Sequence, residues 1–209
     1  MPQETATVES QGRRERKKAE TRRAIRDAAL ERALELGVEH LTVTEITEAV
    51  DISPRTFFNY FGCKEDALVA DGTELADQLR ERARARPLDE VPLDTLRAVL
   101  TESDSMIAAE SGREQTLARQ RLIQAHPSLA ARQLAQFAVI ERTFVEVLAE
   151  RMGVDAGEDL RPAVLAALAQ GVLRAAMGRW SADGSEPLVT VISRAFDLLH
   201  DGVLTDPPG

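Results

Sequence analysis

The sequence predicts an all-α chain, and three observations carry that prediction. Apolar residues recur at three- and four-residue spacings along most of the chain, and no alternating run bounded by turn residues reads as a strand. The stretches between interruptions are rich in Ala, Leu, Glu and Arg, which are strong helix formers. The interruptions fall where helices start or stop: Gly37, Ser53–Pro54, Gly62, Pro87, Pro92, His126–Pro127, Gly153, Pro162 and Pro187. About nine helices result, with no repeat at a fixed period.

Residues 1–12 read as a disordered arm. From about Arg14 to Leu36 the residues Ile25, Ala29, Ala33 and Leu36 form one apolar stripe, and Gly37 closes it in a left-handed conformation. Thr42 and Glu45 form a capping box, opening a short helix that stops near Val50. Ser53 caps the next helix, with Pro54 at its first position, and that helix runs to about Phe61. A further capped start at Cys63 continues to about Arg86. Helices are then expected at about 93–110, 113–125, 128–152, 159–182 and 186–201, the last with Ser185 as its cap.

With 209 residues, 44% of them apolar, the chain can bury one core of ordinary size plus a small second one. Its single cysteine, Cys63, forbids an internal disulfide, and His40, His126 and His200 are too scattered for a zinc site, so neither metal nor cofactor is expected. No apolar run reaches the length of a membrane span, and the polar amino terminus lacks the apolar core of a secretory signal, which makes a cytoplasmic protein the expectation. The sequence has no Ser-His-Asp grouping, Gly-rich phosphate loop, metal spacing or close carboxylate pair, so an enzyme finds no support.

The net charge of −9 is unevenly placed. Residues 1–64 carry 11 basic and 11 acidic residues, whereas 65–209 carry 15 and 24. Arg13 to Arg26 holds eight basic residues against two acidic ones. Phosphate responds to local potential, so this run suits nucleic acid, although a solvated helix start would look the same.

Two short capped helices joined by a tight turn are the units of a helix-turn-helix, whose second helix enters the major groove. Here that helix opens with Arg55 and Thr56. Half of the chain's eight aromatic residues stand on or just beyond it: Phe57, Phe58, Tyr60 and Phe61. Helical periodicity turns Phe57, Phe58 and Phe61 inward as the kernel of a miniature domain, leaving Asn59 and Tyr60 outside.

The residues Gly37, Thr42, Ile46, Ile52–Ser53, Thr56–Phe57, Tyr60–Phe61 and Lys64–Glu65 stand in an order and spacing that resembles the DNA-binding domain of the tetracycline-repressor (TetR/AcrR) family over 22–69. The resemblance implies a helix-turn-helix domain at 13–62 and an effector-binding and dimerisation domain at 63–209, with 63–86 as the helix connecting them. It further implies a repressor that binds a double-stranded DNA operator as a homodimer through 159–182 and 186–201. A small, hydrophobic effector would tilt the connecting helix and release the DNA. Thr44, Arg55, Thr56, Asn59, Tyr60 and Lys64 become the DNA contacts, with Lys64 on phosphate. Asp51, Thr47 and Cys63 depart from the family pattern. Asp51 tolerates the left-handed turn, and Cys63 is a structural residue unless it senses redox state. Small residues crowd 159–182, where another helix could approach closely. Candidate pocket residues are Met106, Leu117, Leu122, Phe137, Ile140, Phe144, Leu173 and Met177, with the charged Arg121, Glu141 and Arg174 near them. The rival to a DNA-binding regulator is a helical ligand-binding or scaffolding protein without a DNA role.

Overall fold

The computed structural model describes residues 3–200 except Ala70, and it describes side chains from 14 onward apart from 15, 70 and 104–111. Every predicted helix is present, one of them in two pieces, and no strand occurs among the described residues. The chain divides into two compact units after Val69.

The first unit contains α1 (Gln3–Leu36), α2 (Val43–Ala49), α3 (Pro54–Phe58) and α4 (Lys64–Leu68). Its boundaries follow local chemistry. Gly37 leaves α1 at φ 86°, a conformation that a Cβ disfavours. The Thr42 hydroxyl accepts from the Glu45 N–H, while the Glu45 carboxylate accepts from the Thr42 N–H at 2.7 Å. Asp51 turns the chain at φ 51°. Ser53 Oγ accepts from the Thr56 N–H at 3.1 Å, and Pro54 follows at the first helical position. The core gathers Ile25, Ala29, Leu30 and Ala33 of α1 with Leu41, Ile46, Phe57, Phe61 and Leu68, all nearly or fully buried.

The second unit contains α5 (Gly72–Ala85), α6 (Pro92–Ser111), α7 (Arg113–Ala125), α8 (Pro127–Met152), α9 (Arg161–Asp183) and α10 (Leu188–His200). Helix α8 lies between α5 and α9, and α10 packs on α9 and α6. Leu79, Leu96, Ile140, Phe144, Leu148, Ala169, Trp180, Ile192 and Phe196 make one continuous core. Gly72 meets α8 so closely that its N–H donates to Gln136 Oε1 at 2.8 Å. The Arg151 guanidinium closes the end of α5, donating to the carbonyls of Ala83 at 2.8 Å, Arg86 at 3.0 Å and Pro87 at 2.5 Å. Ala83 and Arg86 belong to the last turn and cap of α5, where carbonyls lack the regular four-residue bond; the Ala83 carbonyl otherwise has only the 3.4 Å bond from the Arg86 N–H.

Four expectations are corrected. The stretch expected to be a disordered arm is helical from Gln3 as the first part of α1, with no proline there to stop the helix being extended backward from its Ala-, Glu- and Arg-rich body. The connecting helix 63–86 is not continuous: Val69 is extended at φ −105° and ψ 148°, and Asp71 starts a new helix by accepting from the N–H groups of Thr73 and Glu74. Asp71 with Glu74 three residues on was the signal for that second start. Phe58 is not inward; it is 56% exposed. Ser185 does not cap α10, since its hydroxyl donates to Asp183 Oδ2.

Candidate nucleic-acid interface and effector core

The reading segment is built from the rings outward. Phe57 is fully buried, and Phe61 stacks near it with ring centroids 5.6 Å apart. The Arg22 guanidinium sits over the Phe61 ring at 4.8 Å and donates to the Tyr60 carbonyl at 3.3 Å. One member of the basic run therefore works inside the unit, as a cation on a ring face and a donor to the chain leaving α3. Lys17, Lys18 and Arg23 remain exposed along α1.

On this kernel the predicted DNA contacts take different positions. Arg55 and Asn59 are four residues apart on one side of the segment, and both are exposed. Thr44 is exposed in the first turn of α2. Thr56 is half-buried, with its hydroxyl 2.9 Å from that of Ser53, so it is partly engaged in the cap. Tyr60 is half-buried. Lys64, expected on phosphate, is engaged within its own unit. Its ammonium donates to the carbonyls of Val38 at 2.9 Å, Leu41 at 2.7 Å and Glu39 at 3.5 Å, which uses all three of its donors on the loop between α1 and α2. Sequence spacing placed this residue correctly but could not show that a loop 23–26 residues earlier folds back onto it.

Cys63 precedes α4 without a side-chain capping bond. Burial pushes its thiol up from the ordinary value, and the neighbouring Glu65 and Asp66 carboxylates add to that. Such a thiol is kept protonated, the opposite of a reactive cysteine.

In the second unit, Ile140 and Phe144 are buried, and Leu117, Phe137, Leu173 and Met177 pack against the same core while partly exposed. Leu122 is buried as well. Glu141 is half-buried, whereas Arg174 is exposed. Arg121 is exposed too, with its Nε–H donating to the Ser181 carbonyl at 2.8 Å. Met106 lies outside the described side chains.

The residue that sequence reasoning missed is Gln170. It is fully buried in α9, and its amide donates a long bond of 3.4 Å to the Phe137 carbonyl. Its carboxamide oxygen has no partner among the described residues. Buried acceptors are nearly always paired, so this one stands out. A lone polar residue in the run Ala166–Ala167–Leu168–Ala169–Gln170–Gly171–Val172 was the available signal.

Comparison with known proteins gives this geometry its context. The profile of the bacterial regulatory proteins of the tetR family matches residues 25–70, and that of the MftR C-terminal domain matches 90–204. The HTH-type transcriptional regulator TcmR of Streptomyces glaucescens is 32% identical over 98% of this chain and 94% of its own length. The structure of Thermus thermophilus FadR, a TetR-family transcriptional repressor in complex with lauroyl-CoA, is 26% identical with a TM-score of 0.52, covering 90% of this chain and all of that one. The FadR regulator of Bacillus subtilis in complex with stearoyl-CoA shares the fold at 22% identity and a TM-score of 0.56, over 86% of this chain and 97% of that one. No described helix is long and apolar enough to cross a membrane. Family profiles on both units and a relative aligned over nearly its whole length agree with the geometry of the reading head: the chain belongs to the TetR family of bacterial transcriptional regulators.

Proposed function

We propose that this chain is a homodimeric, cytoplasmic repressor that grips a pseudo-palindromic operator through α3 and lets go when a small apolar effector enters the second unit. The observation that carries the DNA part is the exposed pair Arg55 and Asn59 on a helix whose other side is locked by Phe57. Arg can bond guanine O6 and N7 together, and Asn can bond adenine N6 and N7. Thr44, Thr56 and Tyr60 complete the contact set. Lys64 adds positive charge and holds the loop before α2 in place.

Dimerisation is supported by an unpartnered stripe along α9. Leu160, Val164 and Leu168, spaced by four, are exposed at 73%, 45% and 42%. Farther along the helix, a side chain added at Gly171 or Gly178 would meet nothing within 4 Å. Exposed Leu198 supplies a similar surface on α10. A two-fold pair packed through these two helices would cover such a stripe and present two heads to two half-sites.

The effector reading rests on the partly buried Phe137, Leu173 and Met177 beside buried Gln170. An apolar molecule bearing one hydrogen-bond donor would suit that set, since the Gln170 oxygen can only accept. The lauroyl-CoA held by the FadR relative joins an apolar acyl chain to a charged, phosphate-bearing carrier that also has amide donors; its acyl chain and amides are the parts that fit this set, so it is the first compound to try. Binding shifts the DNA-competent population only by its difference in affinity between the two states.

The test is a mobility shift on DNA flanking the chain's own gene. Arg55→Ala should weaken the complex by about 1–3 kcal/mol without changing the dimer's mass in solution. Equal affinity for wild type and variant would remove Arg55 from the interface. No shift by the wild type on any flanking fragment would count against an autoregulatory operator.

A further inference from the structure

Phe58 is the one phenylalanine of the amino-terminal cluster that the packing leaves outside. It is 56% exposed, against 0% for Phe57 and 5% for Phe61. It is not loose, because its ring meets that of Phe57 edge to face, with centroids 5.5 Å apart and planes at 89°. That arrangement is a favoured one for aromatic pairs, and the buried partner sets the plane of the exposed ring. Phe58 stands three residues after Arg55 and directly before Asn59, so all three share one side of the segment. Its position is therefore within the face proposed to enter the major groove, and the role of the ring depends on that DNA-binding function.

A phenyl ring has neither donor nor acceptor, so it can bond neither phosphate nor the polar edge of a base. What it can do is remove apolar surface from water. The major groove offers one prominent apolar group, the C5-methyl of thymine, and Phe is among the side chains that contact it. Arg55 and Asn59 on the same side have the polar chemistry for guanine and adenine, so the ring flanking Arg55 completes a set that reads three kinds of base edge. We infer that Phe58 is a specificity residue, packing its ring against the C5-methyl of a thymine in each half-site, next to the base pair that Arg55 reads.

The experiment begins by selecting tight-binding duplexes from a random-sequence pool with the full-length protein. Each thymine of the selected site is then replaced in turn by deoxyuridine, which removes only the methyl. Wild-type protein should lose roughly three- to tenfold in affinity at one thymine per half-site, the scale of one buried methyl group. Phe58→Ala should bind the thymine and deoxyuridine duplexes equally at that position, and Phe58→Leu, which keeps an apolar side chain, should retain part of the difference. A flat deoxyuridine scan with the wild type would overturn the inference, as would an unchanged methyl preference in Phe58→Ala. If the pool yields no preferred sequence at all, the DNA reading itself fails and the role given to Phe58 falls with it. Loss of affinity by Phe58→Ala equally on every duplex, with the methyl preference intact, would assign the ring to the sugar-phosphate backbone instead.

Discussion

The two units of this chain are built on different principles. In the first, nearly every boundary carries its own local instruction: a glycine at positive φ after α1, a reciprocal capping box before α2, a left-handed Asp51, and a serine cap with proline before α3. In the second, Asp71 caps α5 and Gly153 and Gly184 end α8 and α9 at positive φ, but the residues at the N-caps of α7, α8 and α9 make no side-chain capping bond, and the packing of long helices around Phe144, Trp180 and Phe196 does more to place them. The difference has a functional sense. A reading head needs side chains at fixed angles, and short capped helices on a ring-filled kernel hold them there. A ligand-responsive body relies on the packing of long helices, and such cores accept changes of side chain as long as volume and pattern are kept.

The comparison can be broken most forcefully at the kernel. Phe57→Ala deletes a fully buried ring and should cost about 3–5 kcal/mol. Hydrogen exchange should show protection lost in α1–α4 while α5–α10 keep theirs. Uniform loss across both units would mean that they do not behave as separate cooperative bodies. A second test strikes the body at its tightest backbone approach. A Cβ at Gly72 would lie 2.4 Å from Gln136 Oε1 and 2.9 Å from the Gln136 carbonyl oxygen. Gly72→Ala should therefore destabilise by about 1–3 kcal/mol in denaturant titration, through overpacking. A neutral result would show that α5 shifts freely on α8.

The head's reliance on local caps is sharpened by Thr42→Ala, which removes the acceptor for the Glu45 N–H. A loss of about 1 kcal/mol is expected, read as a shift in denaturation midpoint with unchanged slope. The smallest effect concerns pH and lies in the body. The Glu90 carboxylate accepts from the Arg86 guanidinium and from the Thr95 hydroxyl, and the Arg86 bond is the main cause holding its pKa down to about 2. A carboxyl whose pKa is lower folded than unfolded contributes stability that is present above its ordinary value of 4.5 and is lost as pH falls toward about 2. The difference in Tm between wild type and Glu90→Gln should shrink across that window. A constant difference would place the contribution of Glu90 elsewhere.

Much of the head was legible because its signals are local. Thr42, Glu45, Ser53 and Pro54 act on neighbours within four residues, and the glycine and aspartate turns need only their own φ. The loop bonds of Lys64 were not legible and Phe58 was misread for the opposite reason. The loop carbonyls that hold Lys64 lie 23–26 residues before it in the chain. Phe58 sits at the margin of a helical stripe, where a rotation of tens of degrees decides between core and solvent. The break at Val69–Asp71 was hidden because Leu68, Val69 and Ala76 keep an apolar pattern across it, and only Asp71 with Glu74 marked the restart.

The order of residues by itself determined the helical class, the helix-turn-helix with its caps, and the family, because each follows from contacts between chain neighbours or from motif spacing. Tertiary structure alone decided that Lys64 clamps a loop, that Phe58 faces outward and that Gln170 is buried with an oxygen that has no partner among the described residues. Those outcomes depend on which distant atoms arrive beside a side chain, and no spacing along the chain records that.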